Sequence, residues 1–117
     1  MARRGRYRIK LSQRARQDLD DILAWTIREF GEDAVLRYEL LIAQAIKDLV
    51  SDPLRPGSRT LDETRVDGLR RYHLSSSRDR TPTPRVSRPR HFILYRVDGD
   101  TFAIVRVLHD ARDLSQF

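Results

Sequence analysis

The stretch His91-Phe92-Ile93-Leu94-Tyr95-Arg96-Val97-Asp98-Gly99-Asp100-Thr101-Phe102-Ala103-Ile104-Val105-Arg106-Val107-Leu108-His109 decides the fold. β-Branched and aromatic residues run on both sides of an Asp-Gly pair, the pair that a two-residue type I′ hairpin turn wants. Residues 92–97 and 101–109 are therefore expected as two antiparallel strands. If Asp98 and Gly99 form the turn, Val97 faces Asp100. Tyr95 then opposes Phe102, Ile93 opposes Ile104 and His91 opposes Arg106; on the other face Leu94 opposes Ala103 and Phe92 opposes Val105. Both faces of this hairpin are apolar: Ile93, Tyr95, Phe102, Ile104 and Leu108 on one, Phe92, Leu94, Ala103, Val105 and Val107 on the other. An antiparallel sheet normally shows water one polar face. The second apolar face is covered either by a bound partner or by the first strand, the long loop and the tails of the chain itself.

Working outward, residues 69–74 form a further strand candidate. The segment between, 75–89, holds three prolines in a Ser/Arg-rich run and is expected as a mobile loop (76–90) with no packed structure of its own. Near the N-terminus, Tyr7-Arg8-Ile9-Lys10-Leu11 alternates as a half-buried strand does. Ser12 stands at an N-cap position, and from Gln13 the period changes to that of a helix: Ala15, Leu19, Ile22, Leu23, Thr26, Ile27 and Phe30 share one stripe. Gly31 is a good stop, and Glu32 and Asp33 open a second helix with acids, which its dipole favours. The stripe of that helix is Ala34, Tyr38, Leu41, Ile42, Ala45 and Leu49, with Ile46 and Val50 at its margin, and Pro53 ends it. So short a connection makes the helices an antiparallel hairpin. The order is β-α-α-β-β-β: an α+β fold with an N-terminal strand and a helical hairpin packed on an antiparallel β-sheet, as a single domain over 1–117.

The chain has 117 residues, enough for one core. With 39% apolar and 34% charged residues it has the balance of a soluble globular protein. No apolar run is long enough to span a bilayer, and no apolar segment of a secretory signal follows the basic N-terminus, so a cytoplasmic location is expected. The absence of cysteine removes disulfides, thiolate catalysis and Cys-based zinc sites. The net charge of +6 is uneven: residues 1–16 carry seven bases and no acid, 17–52 nine acids and three bases, and 53–91 ten bases and four acids. Such a surface favours an acidic protein partner; no groove, stacking aromatics or recognition helix argues for direct reading of nucleic-acid sequence.

Chemistry is sparse. His73, His91 and His109 show no metal-ligand spacing, so no metal or cofactor is expected, and His73 and His91 read as surface residues beside the loop. Asp18, Asp20, Asp21, Glu29 and Glu39 read as solvated helix faces. One cluster stands out. Arg106 lies in an otherwise apolar strand, on the face of Tyr95 in the register above, and a desolvated guanidinium needs a partner. That partner is a structural acid such as Asp110 or Asp113, or else a ligand phosphate or a partner's acid. Metal-free RNA cleavage needs a base, an acid and cations around the phosphate, and His109, Arg106, Arg112 and Tyr95 are the residues that could supply them.

The ordered blocks Leu11-Ser12-x-x-Ala15-x-x-Asp18-Leu19-x-x-Ile22, Phe30-Gly31-x-x-Ala34 with Tyr38, then Leu49 and Pro53, resemble the helical half of ParE-type toxins of the RelE/ParE superfamily. Gly68-Leu69-Arg70-Arg71-Tyr72, His91-Phe92-Ile93-Leu94-Tyr95-Arg96-Val97 and Ile104-Val105-Arg106-Val107-Leu108-His109-x-x-x-Asp113 resemble its sheet half, so the likeness spans nearly the whole chain. The resemblance implies a toxin of a bacterial type II toxin–antitoxin pair, of the kind that stabilises plasmids or genomes. Such a toxin poisons DNA gyrase without metal or cofactor. A ParD-like ribbon-helix-helix antitoxin neutralises it and makes the DNA contacts. RelE-like members instead cut mRNA on the ribosome with Lys/Arg residues and a tyrosine near the C-terminus. Here lysines are nearly absent and no tyrosine follows Arg112, which argues for a non-enzymatic poison, with the ribosome-dependent endoribonuclease as the alternative. The loop at 75–89 is longer than the family's usual connection. The expected partner-binding and toxicity surface is the sheet face with Tyr95, Phe102 and Arg106, rimmed by Arg70, Arg71 and His109.

Overall fold

A computed structural model of the chain describes residues 7–61 and 64–114; the basic run 1–6 and the tail after Leu114 lie outside the described residues. The elements run β1 (Arg8–Leu11), α1 (Gln13–Phe30), α2 (Glu32–Ser51), β2 (Ser58–Thr60), β3 (Arg70–His73), a 3-10 helix (Leu74–Arg80), β4 (His91–Asp98) and β5 (Thr101–His109). Ser12 caps α1 as expected: its hydroxyl accepts the Ala15 N–H at 2.9 Å and donates to the Val105 carbonyl at 2.7 Å, tying the helix start to β5. Gly31 separates the helices at φ 92°, ψ 179°, a conformation open essentially to glycine. The acids Glu32 and Asp33 sit in the first turn of α2.

The sheet differs from the expectation in two ways. It has five strands in the order β1-β5-β4-β3-β2, and β1 lies parallel to β5, so it is mixed rather than purely antiparallel. The added strand, β2, is three polar residues long, too short to show an alternating pattern. The hairpin register also shifts. Asp98 pairs with Thr101 and Val97 with Phe102, so Gly99 and Asp100 make the turn. Gly99 takes φ 60° while no non-glycine residue among those described has positive φ, which is the type II′ pattern rather than I′.

Between Leu94 and Tyr95 the ladder then slips: Tyr95 pairs with Ile104 but Leu94 with Arg106, leaving Val105 as the extra residue of a bulge. The bulge exchanges the faces beyond it. Val107 joins Ile93, Tyr95, Phe102 and Ile104 in the core beneath the helices, whereas Leu108 joins Leu94 on the opposite side.

That opposite apolar face is covered from within the chain. Leu69 and Leu114, with Leu61 and Val66 from the β2–β3 connection, pack on Leu94, Leu108, Phe92 and Val105. Of the two expected coverings, the chain itself accounts for this face, but through the β2–β3 connection and Leu114 rather than through the first strand or the long loop. The helix-side core holds Ala15, Tyr38, Leu41, Ile42, Ala45 and Leu49 against Tyr72, Leu74, Tyr95 and Phe102. The expected stripe of α1 extends too far: Ile27 is 44% and Phe30 65% exposed.

The reading of 75–89 as a segment without packing of its own is corrected. Its first part is the 3-10 helix packed on α2, with Ser77 fully buried. The anchor is Asp48 of α2, which accepts from Ser77 Oγ at 2.7 Å, Arg80 Nε at 2.9 Å and Gln44 Nε2 at 2.8 Å, and pairs with Arg55 at 3.1 Å. Tyr72 OH bonds Ser77 from below. Farther on, Arg78 donates to the Val86 carbonyl and Arg85 to the Thr81 carbonyl, folding the segment back on itself. Serines and arginines satisfy one another here through a buried acid, a pattern that composition reads as polar and unstructured.

A groove between the helical hairpin and the arginine segment

The expected surface does not assemble as a single open site. Tyr95 and Phe102 are fully buried under the helices and stacked on each other, with ring centroids 4.9 Å apart. Tyr95 OH bonds Ser58 and the Pro53 carbonyl, and burial raises its pKa. Arg70 joins this cluster by donating to Ser58 Oγ at 2.8 Å, so it holds β3 to β2. Arg71 leaves for the other face, its guanidinium 5.1 Å from the Phe92 ring centre. Arg106 is buried in a bidentate pair with Asp18 of α1, at 2.7 and 3.0 Å. Asp18 also accepts the Val107 N–H at 3.0 Å. The expected acid partners were Asp110 and Asp113; Asp18 had read as solvated. It is reached because β1 ends at Leu11, and beyond that point α1 lies along the open edge of β5.

His109 is half-exposed and belongs to a different assembly. Tyr38, from α2, contacts His91 through its hydroxyl, 2.6 Å from Nδ1, and that hydroxyl accepts the Arg90 N–H at 3.2 Å. Burial, then the neighbouring His109, lowers the His91 pKa to about 4, and burial pushes Tyr38 up to about 12. His91 is thus a buried neutral base, not the surface residue expected. His109 stands edge-to-face on it at 5.4 Å. Behind them Asp110 binds His73 Nε2 at 3.0 Å and Arg90 through two bonds of 3.0 and 3.1 Å. Burial opposes ionisation of Asp110, but those donors outweigh it and its pKa is lowered.

His91 and His109 floor a cavity of about 460 Å³, within the size range of ligand-binding clefts. Trp25, Thr26 and Phe30 of α1 and Ala34, Arg37 and Tyr38 of α2 form one wall; residues 85–88 and Arg90 form the other, with His91 and His109 at the base. Trp25 and Phe30 meet edge-to-face at 5.4 Å and are 46% and 65% exposed. The lining contains four arginines and no carboxylate. Arg85 is used on backbone carbonyls and Arg90 on Asp110, while Arg37 and Arg88 have no partner among the described residues. No group of three or more His, Asp or Glu among the described residues could hold a metal, and no helix among them is long and apolar enough to cross a membrane. The sequence reading missed this groove because its walls lie some 60 residues apart in the chain; the exposed Trp25 and Phe30 were the available signal, and helical periodicity assigned Phe30 to the core.

Comparison with known proteins agrees with the fold. Residues 9–114 match the family model described as the ParE toxin of the type II toxin–antitoxin system parDE. No protein of curated function matches the sequence. Among solved structures, the chromosomal ParDE toxin–antitoxin system from P. aeruginosa superposes with a TM-score of 0.65 at 21% identity, over 89% of this chain and 96% of that one. The E. coli DinJ–YafQ complex superposes with a TM-score of 0.52 at 15% identity, over 90% and 94%. With an α+β architecture shared with these structures and a family match across nearly its whole length, this chain belongs to the ParE toxin family of type II toxin–antitoxin systems.

Proposed function

We propose that the protein is a growth-arresting toxin that inhibits DNA gyrase without catalysing a reaction itself, and that a ParD-like antitoxin neutralises it. The family match over 9–114 carries the reading. Two features of the site support a non-enzymatic mode. Arg106, the cation best placed by sequence to hold a phosphate, is occupied by Asp18; Tyr95, the candidate proton donor, is buried against Ser58 and Pro53. A gyrase supercoiling and DNA-cleavage assay with purified toxin tests the proposal. Loss of supercoiling with accumulating cleaved DNA, reversed by antitoxin, is the expected result; normal supercoiling in the presence of toxin would sink it.

One observation favours a second reading, ribosome-dependent mRNA cleavage: half-exposed His109 lies in a groove that also presents Arg37 and Arg88. Codon-phased mRNA cuts after induction, abolished in His109→Ala, would establish that reading, and uncut mRNA would discard it.

A further inference from the structure

We propose that the solvent-facing side of α2 is a self-association surface, on which a second copy of this chain docks antiparallel about a twofold axis at Leu40. Val35, Tyr38, Leu41, Ile42, Ala45 and Leu49 make the buried face of α2. At about 100° of rotation per residue, Asp33, Leu36, Leu40, Ala43 and Lys47 fall on one stripe on the opposite side. Leu36 and Leu40, one turn apart, are 57% and 53% exposed. Asp33, Ala43 and Lys47 are exposed with them. The face of an amphipathic helix turned away from its core is ordinarily polar. Here it has an apolar centre with an acid at one end and a base at the other.

That pattern is complementary to itself, which selects a second copy as the occupant. Asp33 and Lys47 each stand seven residues from Leu40, about 10 Å along the helix on either side. When two copies of α2 pair antiparallel, Leu40 meets its counterpart on the axis and Leu36 lies over the small Ala43 of the second copy. Asp33 then meets Lys47, and the symmetry makes this contact twice. Parallel docking would instead set Asp33 on Asp33 and Lys47 on Lys47. Neither residue has an ion-pair partner among the described residues, so both are available to the second copy. One helix per copy is a small contact, so the dimer exchanges with monomer rather than being permanent. It also leaves the groove open. Arg37 and Tyr38 line that groove from another side of α2, and no residue of the stripe does.

Sedimentation equilibrium of the purified protein from about 10 µM to about 1 mM, the range of transient association, tests the proposal. Each variant is compared after its thermal melt is shown to match wild type. Wild type should pass from monomer to dimer across this range. Leu40→Glu, which sets two carboxylates on the axis, should stay monomeric throughout. Asp33→Lys and Lys47→Asp should each weaken self-association about fivefold or more, because attraction becomes repulsion at two symmetric contacts. Mixed in equal amounts, these two variants should associate with each other, since every pair in the heterodimer is again opposite in charge. A wild type that stays monomeric, a dimer unaffected by Leu40→Glu, or single reversals that do not rescue one another would each overturn the proposal. Leu40→Glu is also titrated with the antitoxin encoded beside the toxin. Antitoxin binding at the wild-type level is expected, and its loss would give this face to the antitoxin instead and overturn the self-association reading.

Discussion

At the scale of the residue, Arg106 and His91 show how burial changes what a side chain is for. Arg106→Ala leaves Asp18 charged and nearly buried, so we expect a loss of about 3 kcal/mol, read as a lower melting temperature. Asp18→Asn should approach the same loss, whereas the double change Asp18→Leu with Arg106→Met should recover only part of it: the two desolvation costs vanish together, but the Val107 N–H loses its acceptor. An unchanged melt with lost toxicity in Arg106→Ala would return this arginine to the functional surface. His91 makes a pH prediction. Its folded pKa of about 4 lies below the ordinary 6.5, so between those values the unfolded chain binds a proton that the native protein does not. Stability is therefore full above about pH 6.5 and declines as pH falls toward 4, by up to about 3 kcal/mol from this group. The charged or titratable neighbours that set the shift are His109, Asp110, His73 and Arg90. Chemical denaturation of wild type and His91→Asn at pH 7 and pH 4.5 checks it: the wild type should lose more than the variant.

At the scale of the element, the helical hairpin was legible and the sheet's finer geometry was not. Ser12, Gly31 and the acids after it act within a few residues of chain, so their pattern marks both helix boundaries without knowledge of the rest. Gly31→Ala tests this directly. A Cβ there meets nothing within 4 Å, so the cost is conformational alone, about 1–3 kcal/mol, and a melt unchanged from wild type would refute the assignment. The Gly99 hairpin was anticipated in kind but mistaken by one turn position, since an Asp-Gly-Asp run offers two adjacent turns and local preference does not choose between them. Packing chooses. The bulge at Val105 lets Val107 rather than Leu108 fill the helix-side core, and no alternating pattern announces such an exchange.

At the scale of the whole molecule, Asp48 is the point where α2, the approach to β2 and the 3-10 helix are joined. Burial works against its ionisation, yet Ser77, Gln44, Arg80 and Arg55 together hold its pKa below the ordinary carboxylate value. Asp48→Ala should cost about 2 kcal/mol and release the arginine segment, seen as faster tryptic cleavage at Arg80 and Arg85 while helical circular dichroism persists. Cleavage at the wild-type rate would show that the segment is held by other means.

From its sequence alone this chain could be assigned a capped amphipathic helix and a second opened by acids, a C-terminal apolar hairpin and a basic exterior, because capping, period and charge are properties of neighbouring residues. Tertiary structure alone decided that β1 runs parallel to β5, that Arg106 is neutralised by Asp18 across 88 residues, and that Tyr95 and Phe102 are core. It alone also brought Trp25, Arg37, Arg88 and His109 around one cavity. Each of these depends on which distant surfaces exclude water from one another, and that is settled only when the whole chain has closed on its core.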